Sequence, residues 1–145
     1  MLKTTIVSFS LMIFTALSAC AGGNAESEDT DIAMKSVKGL KALQLELKSA
    51  IDSQIGEANC GKDDDCKVLP IGANPCGGPE SYAAYSLVET DVETLKTLAE
   101  KYKAVRKALN AKTGAVGACI VIPEPQVQCK NRHCKTIPKT GAIVF

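Results

Sequence analysis

The chain reads as an α+β protein: two amphipathic helices packed on a small antiparallel sheet, stapled by about three disulfides. Three observations carry this reading. Two long stretches, 32–55 and 91–110, repeat apolar residues at three- and four-residue steps. Short β-branched segments broken by Gly and Pro lie between and after them. Seven cysteines are present, six of them beyond Asn59. Helices and strands that segregate in this way, without regular alternation, point to α+β.

The N-terminus comes first. Lys3 precedes an apolar run from Thr5 to Leu17, containing Ile6, Val7, Phe9, Leu11, Met12, Ile13 and Phe14. This is the layout of a secretory signal, and it falls short of the ~20 apolar residues that span a bilayer as a helix. Leu17-Ser18-Ala19-Cys20 follows and resembles the lipobox of bacterial lipoproteins. The resemblance implies removal of residues 1–19 as a signal peptide and lipidation of Cys20, including an acyl chain of the palmitate type. Several chains at ~0.8 kcal/mol per buried methylene hold a protein on a membrane. The competing reading is an ordinary cut near Ala19 or Ala21. It leaves Cys20 as an odd thiol, a liability in an exported protein. Ala21, in place of an aspartate, points to the outer rather than the inner membrane of a Gram-negative envelope.

Residues 20–31 are rich in Gly, Asn, Ser and acids, and read as a lipidated cysteine and a flexible tether. Residues 32–145 read as one disulfide-stabilised domain. Its first helix, 32–55, carries Val37, Leu40, Leu43, Leu47, Ala50 and Ile51 on one face. Thr30 or Asp31 can cap its start and Gly56 its end. Its lysines suggest either contact with a lipid surface or a solvated face; the solvated face is the simpler reading.

Asn59 to Pro79 is the cysteine-rich heart of the chain. Cys66–Ile71 reads as a strand that Pro70 confines to an edge or an end. Tyr82–Leu87 reads as a further extended segment. The strongest helix follows, with Val92, Leu95, Leu98, Ala99, Tyr102, Val105 and Leu109 as its apolar stripe. Thr90 and Glu93 form an expected capping box, Lys101, Lys103, Arg106 and Lys107 suit the C-terminal half, and Gly114 ends it. Cys119–Ile122 is short and β-branched. Gln126–Cys129 and Cys134–Ile137 read as two strands around a four-residue loop, Lys130–His133. Ala142–Phe145 is an apolar tail that can pack or pair.

Cys60, Cys66, Cys76, Cys119, Cys129 and Cys134 are expected to form three disulfides in an oxidising compartment. Each typically contributes ~2–4 kcal/mol. That matters in a chain with no Trp and three Phe. Six cysteines allow fifteen pairings, and the sequence does not choose among them. Proximity suggests Cys129–Cys134 across the hairpin and Cys60–Cys66 around a local loop.

The pattern Cys60, Cys66, Pro75-Cys76-Gly77-Gly78-Pro79, Tyr82, Tyr85-Ser86, Thr90-Asp91, then Cys119, Cys129 and Cys134 resembles a family of small exported bacterial proteins with no assigned activity. The resemblance runs from Cys60 onward. It implies a disulfide framework and lends no catalytic residues.

Composition and motifs narrow the function. Without Lys3 the chain has 16 cationic and 16 acidic side chains, so nothing in its charge favours nucleic acid. Asp63, Asp64 and Asp65 lack the spacing of a calcium loop and read as a solvated turn. Cys129, His133 and Cys134 lack a fourth zinc ligand, and oxidation would consume the thiols. Ser86 has no evident base, and no nucleophile elbow, zinc-protease helix or phosphate loop is present. No metal, cofactor or catalytic activity is therefore expected. The suggestive segment is Pro70–Pro79, where Ile71, Asn74, Gly77, Gly78 and Pro79 are candidate contact residues on a loop fixed by Cys76. A rigid loop loses little ordering entropy on binding. The expected function is a membrane-anchored, non-catalytic module that binds another envelope protein. The alternative is an inhibitor of an exported hydrolase acting through residues 71–79.

Overall fold

The computed structural model describes residues 25–117, 119–139 and 143–144. The signal segment and Cys20 lie outside them. The α+β architecture and the three disulfides are as expected. The elements run α1 (Ala25–Met34), α2 (Val37–Ile55), β1 (Cys66–Ile71), β2 (Ser81–Ser86), α3 (Val92–Thr113), β3 (Ile120–Val121), β4 (Gln126–Lys130), β5 (His133–Ile137) and β6 (Ile143–Val144). The strands pair antiparallel two by two: β1 with β2, β3 with β6, and β4 with β5.

The first helical stretch is divided. Residues 25–31, expected as tether, are helical and belong to α1. Lys101 on α3 meets Glu28 at 2.6 Å. The chain then leaves the helix at Lys35–Ser36. Ser36 adopts an extended backbone, and its Oγ accepts the Gly39 amide at 3.2 Å, so it caps α2 in place of Thr30 or Asp31. Gly56 ends α2 with φ 56°. The lysines of α2 face water, and Lys48 pairs with Asp52 one turn on.

The cap of α3 also differs from expectation. Asp91 is the N-cap: Oδ1 accepts the Thr94 amide at 3.2 Å and Oδ2 accepts the Thr94 hydroxyl at 2.7 Å. The hydrogen bond from Thr94 holds the Asp91 carboxyl below the ordinary aspartate range. Thr90 is buried, and its Oγ1 has no hydrogen-bond partner among the described residues. Gly114 closes α3 in the left-handed conformation, as its position predicts.

Strand alternation divides the interior in two. On one face of β1–β2, Leu69, Ile71, Ala83 and Tyr85 meet Leu40, Leu47 and Ile51 of α2 and Leu95, Ala99, Tyr102, Val105 and Leu109 of α3. On the other face, Cys66 and Ala84 meet Ala58, Cys60 and Cys134 beneath the β4–β5 hairpin. The order is helices, β1–β2, hairpin. Because β1 pairs only with β2 among the described residues, Pro70 sits where its missing amide breaks no second ladder.

The disulfides are Cys60–Cys129, Cys66–Cys134 and Cys76–Cys119. The local pairings suggested by proximity do not form. Cys129 and Cys134 are opposite one another on β4 and β5, yet each reaches across to the 60–66 segment. That segment lies alongside the hairpin: Cys60 N donates to Arg132 O and Cys134 N to Ala58 O, both at 2.9 Å. The hairpin turn has two residues rather than four. Asn131 and Arg132 both have positive φ, 55° and 65°, the pattern of a type I′ turn.

Candidate functional site

The loop between β1 and β2 is wound on itself by its own sequence. Asn74-Pro75-Cys76-Gly77 is a turn in which Gly77 N donates to Asn74 O at 2.9 Å. Proline favours the second position of such a turn because its φ is already set. Asn74 Oδ1 accepts the Cys76 amide at 3.1 Å, and Asn74 N donates to Gly78 O at 2.9 Å. Glu80 N to Ile71 O, at 2.9 Å, closes the base. Gly72, Gly77 and Gly78 take φ of 76°, 101° and 77°, a region that side chains disfavour.

Three ties bind this loop to the rest of the fold. Asn110 Nδ2 donates to Ala73 O at 2.8 Å. Arg106 on α3 meets Glu80 at 2.5 Å, with both side chains about a quarter exposed (24% and 25%). The same guanidinium donates to Gln44 on α2 at 3.2 Å. Cys76 is bonded to Cys119 just before β3.

The candidate contact residues separate under this geometry. Ile71 is 4% exposed and belongs to the helix-facing core, so it is not a surface contact. Asn74 is half-buried and its amide, carbonyl and side chain are all used inside the loop. Gly77 and Gly78 are exposed, and Pro79 is half-buried. These three line a groove of about 490 Å³ whose far wall is Glu100, Lys103 and Lys107 on α3. Lys103 pairs with Glu100 at 3.0 Å. Lys107 has no ion-pair partner among the described residues. A second groove of about 680 Å³, between α1 and α3, shares Glu100, Lys103 and Lys107.

In the sequence Lys103 and Lys107 stand out only as cations suited to the helix dipole. Their four-residue spacing, off the apolar stripe, was the available signal that they share one open face.

The other weighed residues have structural positions. Ser86 is fully buried; its hydroxyl donates to Asn59 O at 2.5 Å and accepts the Val88 amide at 3.2 Å. His133 starts β5 rather than tipping the hairpin, and its Nδ1 lies 2.9 Å from Glu57 O. Asp63–Asp65 form a single 3-10 turn. Asp63 accepts the Cys129 amide at 2.8 Å. Asp65 accepts the Gly61 and Lys62 amides, and the Gly61 bond chiefly holds its carboxyl below the ordinary range. Glu89 is lowered likewise, by the side chain and then the amide of Asn59. The sulfurs of Cys60, Cys66 and Cys134 cluster within 4.8 Å of one another, and all three are in disulfides. No described helix is long and apolar enough to cross a membrane. Comparison with protein-family models, curated proteins and solved structures finds no match for the chain.

Proposed function

We propose that the chain is a lipid-anchored envelope protein that binds another envelope protein non-catalytically, using the groove between the 72–79 loop and α3. The observation that carries this reading is the loop's fixed shape. It is closed by its own hydrogen bonds and tied to α3 and Cys119, so it presents Gly77, Gly78 and Pro79 opposite Lys103 and Lys107 with little entropy left to lose. Glycines without side chains let a partner backbone approach closely. The unpaired Lys107 favours a segment bearing a carboxylate. The inhibitor of an exported hydrolase is the narrower form of the same reading, with the loop entering the enzyme's cleft.

A photo-crosslinking residue at position 75 of the full chain, which is exposed and lines the same groove, expressed in its source cells, tests this. A saturable protein adduct that disappears with Lys103→Glu/Lys107→Glu supports the groove reading. An adduct indifferent to charge reversal, or none, refutes it. If the captured protein is a hydrolase, its inhibition by the purified chain decides for the narrower form. Anchoring is tested separately: labelled palmitate should enter the wild-type chain and fail to enter Cys20→Ser.

A further inference from the structure

The three disulfides occupy unlike surroundings. Cys60, Cys66 and Cys134 are 8%, 2% and 5% exposed and Cys129 is half-buried, so each inner bridge has at least one buried cysteine. Cys76 and Cys119 are both exposed. The neighbours of Cys76 on its C-terminal side, Gly77 and Gly78, have open space where a side chain would project. Ile120, Val121 and Ile122 after Cys119 are exposed as well, Val121 by 53%. An attacking thiol must reach a disulfide sulfur in line, so accessibility separates these bridges.

We propose that Cys76–Cys119 is a thiol-exchange site that opens to low-molecular-weight thiols while both inner bridges remain closed. A thiolate attacks one sulfur of the pair, the sulfur–sulfur bond breaks, and the other cysteine leaves as a thiolate that takes up a proton. A second thiol attacks the mixed disulfide, releasing the remaining protein thiol and the small-molecule disulfide. Two thiols are oxidised and one protein disulfide is reduced.

The fold is built to survive this opening. Neither cysteine belongs to a buried cluster. The loop keeps the turn at Asn74, the bond from Asn110 to Ala73, and the Arg106–Glu80 pair. What is lost is the tie between the loop tip and the chain entering β3. The inference is independent of what occupies the groove.

Graded reduction of the full chain with glutathione, followed by alkylation before and after complete reduction, assigns each thiol by mass spectrometry. Cys76 and Cys119 should become free at a thiol concentration about tenfold below that which opens the other four. Circular dichroism at 222 nm should not change across that first step. Release of Cys60, Cys66, Cys129 or Cys134 at the same concentration overturns the proposal, and so does loss of helical signal with the first pair. Cys76→Ser/Cys119→Ser supplies the second check: it should fold with the two inner bridges formed and show no early-reducing pair.

Discussion

Gly72 and Gly78 share nearly the same positive φ, 76° and 77°, yet their surroundings are opposite. A Cβ on Gly72 would lie 2.3 Å from Glu80 Oε2 and 2.7 Å from its Cδ, whereas one on Gly78 would meet nothing within 4 Å. Alanine at either position bears the left-handed penalty, about 1–2 kcal/mol. At Gly72 it must also displace Glu80, which Arg106 holds at 2.5 Å. Breaking that charge-assisted contact adds about 1–2 kcal/mol, discounted because both side chains are partly in water. Gly72→Ala should therefore cost about 3 kcal/mol and Gly78→Ala about half as much. The gain from a less flexible unfolded chain is common to both and cancels. Urea titration of the oxidised protein measures the gap, on the order of 1 M in midpoint. Repeating both substitutions on Glu80→Ala removes the displaced group, and the gap should close. Equal costs in the wild-type background, or a gap that persists without Glu80, would refute the assignment of Gly72 to the Arg106–Glu80 tie.

The remaining predictions concern caps, disulfides and acid. Asp91→Ala should cost about 1 kcal/mol, because it removes the acceptor for the Thr94 amide, while Thr90→Val should stay within about 0.5 kcal/mol or stabilise. A loss at Thr90 equal to that at Asp91 would restore the Thr90 cap. Cys60–Cys129 and Cys66–Cys134 close nearly parallel loops, with separations of 69 and 68 residues. Chain entropy then gives about 3 kcal/mol for deleting either bridge and about 7 for both, so their effects should exceed additivity in thermal or urea melts. Asp65 and Asp91 are lowered from 3.8 and Glu89 from 4.5. The unfolded chain thus binds protons that the folded chain refuses, and stability rises with pH across that interval. The contribution is complete above about pH 4.5 and fades as pH falls through the lower folded-state values. Melts from pH 6 to 2 should show less acid loss in Asp65→Asn than in wild type.

What was legible in the sequence is what local periodicity encodes. The apolar stripe of α3, its glycine stop, and the strands at Cys66–Ile71 and around the hairpin follow from spacing and side-chain shape. The errors fall where distant contacts decide. Cys129 and Cys134 look like a hairpin bond because they are near in sequence, but the 60–66 segment lies against β4–β5 and offers each a closer sulfur. Thr90 resembles a cap by motif, yet the chain turns one residue later, so Asp91 takes the bond. The acids of 26–31 disguise a helix that packs on α3 through Ile32 and Glu28. In the site, Ile71 looked like a loop residue, but strand alternation turns it toward the helices. The opposing wall of Lys103 and Lys107 depended on α3 packing beside the loop.

The division of the cysteines into three buried, one half-buried and two exposed has a physical cause in the composition. The helix-facing side of β1–β2 is filled by Leu, Ile, Val and Tyr, and needs no staple. On the opposite side the buried positions are Cys66 and Ser86, with Ala84 packed beside them, all too small to form an apolar layer alone, while Val68 and Tyr82 are half-buried and Pro70 is exposed. There the two inner bridges serve as core: their sulfurs fill the space beneath the hairpin and lock its position together. Removing them takes away both buried contact and chain constraint. Cys76–Cys119 is exposed and lies outside both buried clusters; it fixes where the loop tip stands relative to β3. The inner pair should therefore govern whether the domain folds, and the outer bridge how the groove is presented. Substitution of the inner cysteines should lower stability and binding together, whereas substitution of Cys76 and Cys119 should change binding at the groove while the helices stay folded.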